Sequence, residues 1–128
     1  MTETEKITIN LSAVDLGRID LLAEEGFYSN RTDFIRTAIR KELDVHNDVV
    51  KQSVVRRASM MGVAVFTRKG LERCQKKKEK LEINMVGGVY LSDDIPPALA
   101  IDTIKSLRVY GVLRASQAVK DALGERIL

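Results

Sequence analysis

The 128-residue sequence is poor in cysteine, histidine, proline and aromatic residues. Cys74 is its only cysteine, so no disulfide can form within the chain, and a reducing cytoplasm is the expected compartment. His46 is its only histidine, so no metal site of clustered histidine and cysteine ligands is expected. No apolar run approaches the ~20 residues of a membrane-spanning helix, and the polar start MTETEK lacks the pattern of a signal peptide. We therefore expect no membrane partner.

The sequence also lacks the usual signatures of catalysis and nucleotide binding. It has no GxxxxGK[ST] phosphate loop and no GxG pattern. Nothing places His46 near Cys74 as a base, and the adjacent acids Asp93 and Asp94 before a double proline are typical of a solvated turn. We expect a protein that is not an enzyme, with no catalytic residues and no cofactor.

What is present is enough apolar surface to fold, together with an uneven distribution of charge. Hydrophobic residues make up 45% of the chain and charged residues 30%, and the length fits one domain or two very small ones. Residues 1–46 hold six Lys or Arg and nine Asp or Glu, whereas residues 47–80 hold ten and three. The basic segment indicates either a solvated helix face or contact with nucleic acid.

The stretch KITINLS, residues 6–12, alternates strictly between apolar and polar side chains. This period of two predicts a half-buried strand. No second strand is predicted near it, and a lone strand leaves unpaired N–H and C=O groups along both of its edges. The strand therefore requires a partner from outside this part of the chain.

Two short helices are predicted directly after the strand. Ser12 and Asn30 are N-cap residues, each with an aspartate three positions later, and Gly26 suits the position that ends the first helix. The first helix is expected over 13–25 and the second from Arg31 to about His46.

A unit of about forty residues cannot close a core around so much aliphatic surface. Two chains solve this when their strands pair antiparallel into a ribbon above four interlocked helices. The expected dimer core comprises Ile7, Ile9, Leu11, Leu16, Ile19, Leu22, Phe34, Ile35, Ala38 and Ile39.

Residues 5–46, and above all GFYSNRTDFIRTAI, resemble the ribbon–helix–helix family of dimeric bacterial DNA-binding proteins of the Arc/MetJ type. The resemblance implies a homodimer whose ribbon enters the major groove of double-stranded DNA. It implies base contacts by Lys6, Thr8 and Asn10. It also implies a DNA phosphate at the start of the second helix; the expected phosphate contacts are Ser29, Asn30, Arg31, Thr32 and Arg36. Pairing with acidic neighbours is an equal alternative for Arg36 and Arg40.

The segment after the second helix continues a helical pattern. Residues 47–62 carry apolar residues at helical spacing and Gly62 is expected to end that helix; the apolar positions are Val50, Val54, Ala58 and Met61. VAVFT (63–67) predicts a short strand, and KGLERCQKKKEK (69–80) predicts a charged surface helix. We interpret residues 47–80 as a basic helical connector.

The last third of the sequence contains a weak internal repeat. Residues 85–95 and 109–119 align at an offset of 24, each with an apolar strand and a glycine, and PPALAIDTIKS between them predicts a short helix. Chance similarity in a Val- and Gly-rich sequence is the alternative. We interpret 81–128 as a small α/β domain with two strand-containing repeats, serving oligomerisation or partner binding.

The predicted fold class is therefore α+β, with a ribbon–helix–helix DNA-binding and dimerisation domain over 1–46. The predicted function is that of a sequence-specific transcriptional regulator, with a repressor favoured, that reads a palindromic site. Residues 81–128 are expected to join its dimers. Two alternatives remain open. One is an antitoxin that binds a toxin with its second half, and the other is a self-assembling scaffold built on the repeats.

Overall fold

The computed structural model describes residues 4–57 and 59–128 and divides the chain into two compact units, Met1–Lys51 (unit 1) and Gln52–Leu128 (unit 2). The chain is of the α+β class, as predicted. Unit 1 contains α1 (Ala13–Glu24) and α2 (Arg31–Val45), and α3 (Asn47–Arg56) begins in it. In unit 2 the described strands are β1 (Met60–Phe66), β2 (Leu81–Leu91) and β3 (Ile104–Arg114); its helices are α4 (Arg68–Lys76), α5 (Pro97–Thr103) and α6 (Gln117–Leu123), and a 3-10 turn follows at Gly124–Arg126.

The predicted caps begin both helices of unit 1. The Oγ of Ser12 accepts a hydrogen bond from the N–H of Asp15 at 3.1 Å. The Oδ1 of Asn30 accepts one from the N–H of Asp33 at 2.8 Å. Each bond satisfies an amide that has no acceptor within its helix, so local sequence alone sets these two starting points.

The turn after α1 is a Schellman motif around Gly26. The N–H of Gly26 donates to the carbonyl of Ala23, and the N–H of Phe27 donates to the carbonyl of Leu22. Gly26 has a φ of +89°, a conformation that costs glycine little because it has no Cβ. The predicted end of α1 at Gly26 is confirmed.

The single helix predicted over 47–62 is wrong in its last part. α3 ends at Arg56, and Met60, Met61 and Gly62 belong to β1. Ala58, named in the helical pattern, lies outside the described residues. β1 pairs in parallel with β2 from Met60 opposite Met85 onwards, and this nonlocal pairing overrides the weak helical periodicity.

Unit 2 is built from three successive βα units around a parallel sheet of order β1-β2-β3. Its helices bury one face of the sheet; the buried apolar side chains of this core are Leu71, Ile83, Met85, Val89, Leu91, Ile95, Leu99, Ala100, Ile104, Leu107, Val119 and Leu123. β1 and α4 therefore belong to the sheet unit, although the sequence analysis placed them in a connector.

One glycine from each strand stands in a row across this sheet. Gly62 pairs with Gly87 and Gly87 with Gly111, and their φ values are +137°, +136° and +133°. A Cβ on Gly87 would overlap the carbonyl oxygen of Gly62, and a Cβ on Gly111 would overlap that of Gly87. Only glycine allows each strand to approach the preceding one this closely.

Candidate nucleic-acid interface

The segment before α1 has no strand partner in the described chain. Residues 4–11 form neither helix nor sheet. The polar side chains of Lys6, Thr8 and Asn10 are exposed. The apolar side chains between them are exposed as well, with 74% of Ile7, 55% of Ile9 and 39% of Leu11 accessible. One chain alone thus leaves both faces of the segment uncovered.

An apolar groove of about 420 Å³ runs between this segment, α1 and α2; it is lined by Ile9, Leu11, Asp15, Arg18, Ile19, Leu22, Phe34, Ile35, Ala38 and Ile39. Eight of these ten residues are among the ten assigned to the dimer core from sequence. The structure therefore brings the predicted core residues together on one surface. Only Leu16, which is half-buried, and Ile7 lie outside the groove lining.

This groove is not closed by the chain itself. Among the apolar residues that the structure describes in unit 1, only Ile19 is buried, with 5% of it accessible. Leu22, Phe34 and Ile35 are half-buried, and Ile39 is 46% accessible. Unit 1 therefore holds two amphipathic helices without a closed hydrophobic core, which is the situation that association between chains relieves.

The first turn of α2 presents free backbone donors. Asn30 caps the N–H of Asp33, and the Oδ2 of Asp33 accepts the N–H of Ser29 at 2.9 Å. Within the described part of the chain, the N–H groups of Arg31 and Thr32 have no hydrogen-bond acceptor. These two amides lie at the positive end of the helix dipole, where an anion is favoured.

Arg31 is already engaged by α1. Its Nε and Nη2 donate to the two carboxylate oxygens of Asp20 at 2.8 and 2.9 Å. The hydrogen bond from Arg31 lowers the pKa of Asp20 below its usual value, with the charge of Arg31 acting in the same direction. This bidentate contact uses two of the five guanidinium N–H donors, which leaves three directed elsewhere. The pair joins the two helices across the turn, and the sequence analysis did not find it.

A second groove of unit 1 gathers positive charge. It has a volume of about 780 Å³ and runs between the leading segment and α2; its lining includes Lys6, Ile35, Arg36, Ile39 and Arg40, with Thr4, Glu5, Ile7 and Thr32. Lys6, Arg36 and Arg40 are exposed. Arg36 and Arg40 lie one turn apart on α2, and packing of the leading segment beside α2 brings the charge of Lys6 to the same surface.

Several acidic groups of unit 1 are engaged with neighbours in the same unit. Asp20 binds Arg31, and Asp33 accepts backbone N–H groups at the start of α2. Asp15 lies 3.9 Å from Arg18, and Glu42 lies 3.2 Å from His46. These contacts give four carboxylates a local partner, but the segment keeps its excess of acidic residues because Arg18 and Arg31 are already counted in it.

An aromatic contact fixes the chain before α2. The rings of Tyr28 and Phe34 meet edge to face at 82°, with centroids 5.0 Å apart. A hydrophobic contact from the residues before an N-cap to the first turns of its helix sets the entry angle of the chain. The sequence analysis did not predict this contact, although Tyr28 and Phe34 lie on either side of the N-cap Asn30.

Three further observations concern metal ligands, membrane helices and the cysteine. Over residues 4–57 and 59–128, no three His, Cys, Asp or Glu side chains are grouped as metal ligands. In that same part of the chain, none of the helices combines the length and the apolar character that crossing a membrane requires. Cys74 is a half-buried residue of α4.

An N-terminal segment with an exposed alternating face, followed by two capped helices with an open apolar groove, has the element order of a ribbon–helix–helix unit. The sequence matches the family model of the Ribbon-Helix-Helix transcriptional regulator family over residues 2–120. The chain belongs to this family of DNA-binding transcriptional regulators. Comparisons with curated proteins and with solved structures gave no significant match.

The family match reaches much further than the resemblance seen in the sequence. That resemblance covered residues 5–46, whereas the match runs through the sheet of unit 2 and into α6. Unit 2 is therefore part of what defines the family.

Proposed function

We propose that the chain is a transcriptional repressor that acts in the cytoplasm as a homodimer and reads a palindromic DNA site. Residues 6–12 of two copies pair antiparallel into a ribbon, and the ribbon lies in the major groove. Lys6 donates to guanine O6 or N7, Asn10 donates to and accepts from adenine, and Thr8 contacts a thymine methyl.

The open apolar groove of unit 1 carries the proposal. A second copy that laid its own segment and helices against this groove would cover Ile9, Leu11 and Ile39, which one chain leaves exposed. The exposed alternating face at Lys6, Thr8 and Asn10 would then be the outer face of the ribbon. A two-fold arrangement of six such side chains fits a two-fold DNA site.

The start of α2 supplies the proposed phosphate contacts. The free amides of Arg31 and Thr32 bind a phosphate oxygen, and the hydroxyl of Ser29 and the remaining donors of Arg31 support it. The Asp20–Arg31 pair holds α2 in place relative to α1. Arg36 approaches the neighbouring phosphate from the cationic groove that it shares with Lys6 and Arg40.

The test is DNA binding by a triple variant, Lys6→Ala with Thr8→Ala and Asn10→Ala. We expect specific binding to the DNA upstream of the protein's own gene to fall by at least tenfold, since each good base contact contributes about 1–3 kcal/mol of discrimination. Fluorescence anisotropy against specific and scrambled duplexes measures the change. The dimer should persist in sedimentation, because the three side chains lie outside the apolar groove.

Lys41→Ala is the matched control, because it removes one positive charge from an exposed position of α2 outside both grooves. It should leave the preference for the specific duplex unchanged. A triple variant that kept its operator affinity would refute the proposed base contacts.

The two alternatives predict different outcomes. An antitoxin would copurify with a small partner protein bound through its second half. A scaffold would assemble without preferring any DNA sequence. A preference for one duplex without a copurified partner favours the regulator, and we propose that residues 81–128 then join its dimers into higher oligomers.

A further inference from the structure

We propose that the sheet of unit 2 continues into a second copy of this chain, with the outer edge of β1 pairing in parallel with the outer edge of β3 of that copy. In this contact Gly62 of one copy lies beside Gly111 of the next. The contact deepens the joining role proposed above for the second half of the chain, and rests on it.

The first observation is an unfilled space beside Gly62. In β2 and β3, the position of a glycine Cβ is taken by the carbonyl oxygen of the preceding strand's glycine. Gly62 has the same φ, +137°, but nothing lies within 4 Å of the corresponding position. β1 therefore has the backbone conformation that receives a preceding strand, and the described chain supplies none.

The second observation is that β3 offers the matching edge. The carbonyls of Gly62 and Gly87 each face the next strand of the row, so the carbonyl of Gly111, the last member, faces the outer edge of β3. A further parallel strand placed there would repeat the relation that the sheet already contains twice. The β1 strand of a second copy has the required glycine.

The third observation is that the two edges agree in length. The C-terminal residues cover the early part of β3. Ile127 forms a parallel bridge with Leu107, and the carbonyl of Leu107 accepts a hydrogen bond from the N–H of Leu128 at 2.9 Å. The edge beyond this bridge includes residues 109–113, which correspond to residues 60–64 of β1 in the register of the sheet.

The composition of β1 agrees with a buried position. MMGVAVF contains no charged residue and no proline, the devices that normally protect an exposed edge. On the sheet face opposite the helices, Met61, Val63 and Val65 are 60–62% accessible. A strand added beside β1 lies in the plane of the sheet, so the contact covers the uncharged edge of β1 rather than this open face.

Disulfide trapping tests the contact in the full-length chain with Cys74→Ala. In the proposed register, Val63 lies opposite Val112 of the second copy. Within one chain these residues are separated by β2 and therefore by about 9.6 Å, whereas a disulfide spans at most about 6.8 Å between Cα atoms. A bond between Val63→Cys and Val112→Cys must therefore join two copies.

Mild oxidation of the double variant should give a covalent dimer or ladder on non-reducing gels, with the two cysteine peptides linked in the mass spectrum. Each single variant should remain uncross-linked. A Val63→Cys single variant that cross-linked to itself would show antiparallel β1–β1 pairing and overturn the proposal. No cross-link in a folded double variant would also overturn it.

Val65→Lys, added to the double variant, should slow cross-linking by up to about fivefold because it places a second cation opposite Arg114 of the next copy. Ile101→Lys is the matched control, since it adds the same charge on α5, outside β1 and β3, and it should cross-link at the original rate. DNA binding is measured on the same samples. Loss of DNA binding with the cross-link intact would tell against the function proposed for unit 1 and support this contact.

Discussion

At the scale of single residues, substitutions of Asn30 allow helix capping and the proposed DNA binding to be tested separately. Its side chain caps α2, while the amides of Arg31 and Thr32 beside it stay free. Asp and Ser cap a helix about as well as Asn, but only Asp adds a negative charge. Substitutions here can therefore change the charge at the proposed phosphate site and keep the helix.

We predict that Asn30→Asp folds as stably as the parent, within about 0.5 kcal/mol, and binds DNA at least tenfold more weakly at low salt. The defect should shrink as salt is added, because screening weakens the repulsion between the new carboxylate and phosphate. Urea unfolding and anisotropy titrations measure the two effects. Asn30→Ser is the control and should retain both the stability and the DNA affinity of the parent. Equal DNA affinity of all three proteins would contradict a phosphate contact at the start of α2.

The Asp20–Arg31 pair gives a second prediction at this scale, a pH dependence. Because Arg31 lowers the pKa of Asp20 in the folded state from 3.8, the pair stabilises the fold above that value. The stabilisation should be lost as the pH falls through the lowered folded pKa. The stability advantage of the parent over Asp20→Asn should therefore be constant from pH 5 to 7 and decline below about pH 4.

Urea midpoints at a fixed protein concentration measure this difference at each pH. An Arg31→Gln background is the control, since it removes the partner and should abolish the pH dependence of the difference. A difference that stayed unchanged down to pH 2.5 would mean that the pair does not form in solution.

At the scale of elements, the glycine row decides how the strands of unit 2 meet. The sequence analysis recognised the repeat in β2 and β3 but not in β1, although the same pattern is there. Gly62, Gly87 and Gly111 are each followed five residues later by a Ser or Thr at the end of the strand. The third copy was missed because residues 47–62 were interpreted as one helix.

We predict that Gly87→Ala destabilises unit 2 by about 2–4 kcal/mol. The new Cβ would overlap the carbonyl oxygen of Gly62, and alanine rarely adopts a φ of +136°. Thermal unfolding followed by circular dichroism measures the loss. Gly17→Ala, where nothing lies within 4 Å of the added Cβ, is the control and should keep or raise stability by up to about 1 kcal/mol.

At the scale of the whole molecule, the chain is two units with different requirements. Unit 2 has a core of its own, whereas unit 1 has one buried apolar residue in its described part and needs another chain to close its groove. The structure also decides where the two units can be separated. Removing residues 81–128 would leave β1 without β2, so the cut belongs after α3.

We predict that residues 1–57 alone form a dimer that binds a single DNA site with an affinity within about tenfold of the full chain. Because unit 2 is proposed to join copies, the truncated protein should lose cooperativity between adjacent sites. Sedimentation and titrations on one-site and two-site duplexes measure this, with the full chain as control. A monomeric or unfolded fragment would contradict the independence of unit 1.

The local features of unit 1 were determined by the sequence itself. Ser12, Asn30 and Gly26 act on amides and carbonyls a few residues away, so the starts of both helices and the turn between them followed from spacing alone. The apolar period of unit 1 likewise identified the surface that one chain leaves open. Each predicted element has one apolar face, and the sequence of this unit contains no further element to cover those faces.

Only the tertiary structure decided what depends on distant segments. It joined Asp20 to Arg31, collected Lys6 and Arg36 around one groove, and turned residues 60–62 from an expected helix end into the start of a strand. The physical reason is that β pairing and helix packing add energies from residues far apart in the chain. Such energies outweigh a local preference of a few tenths of a kcal/mol per residue, and no local pattern records them.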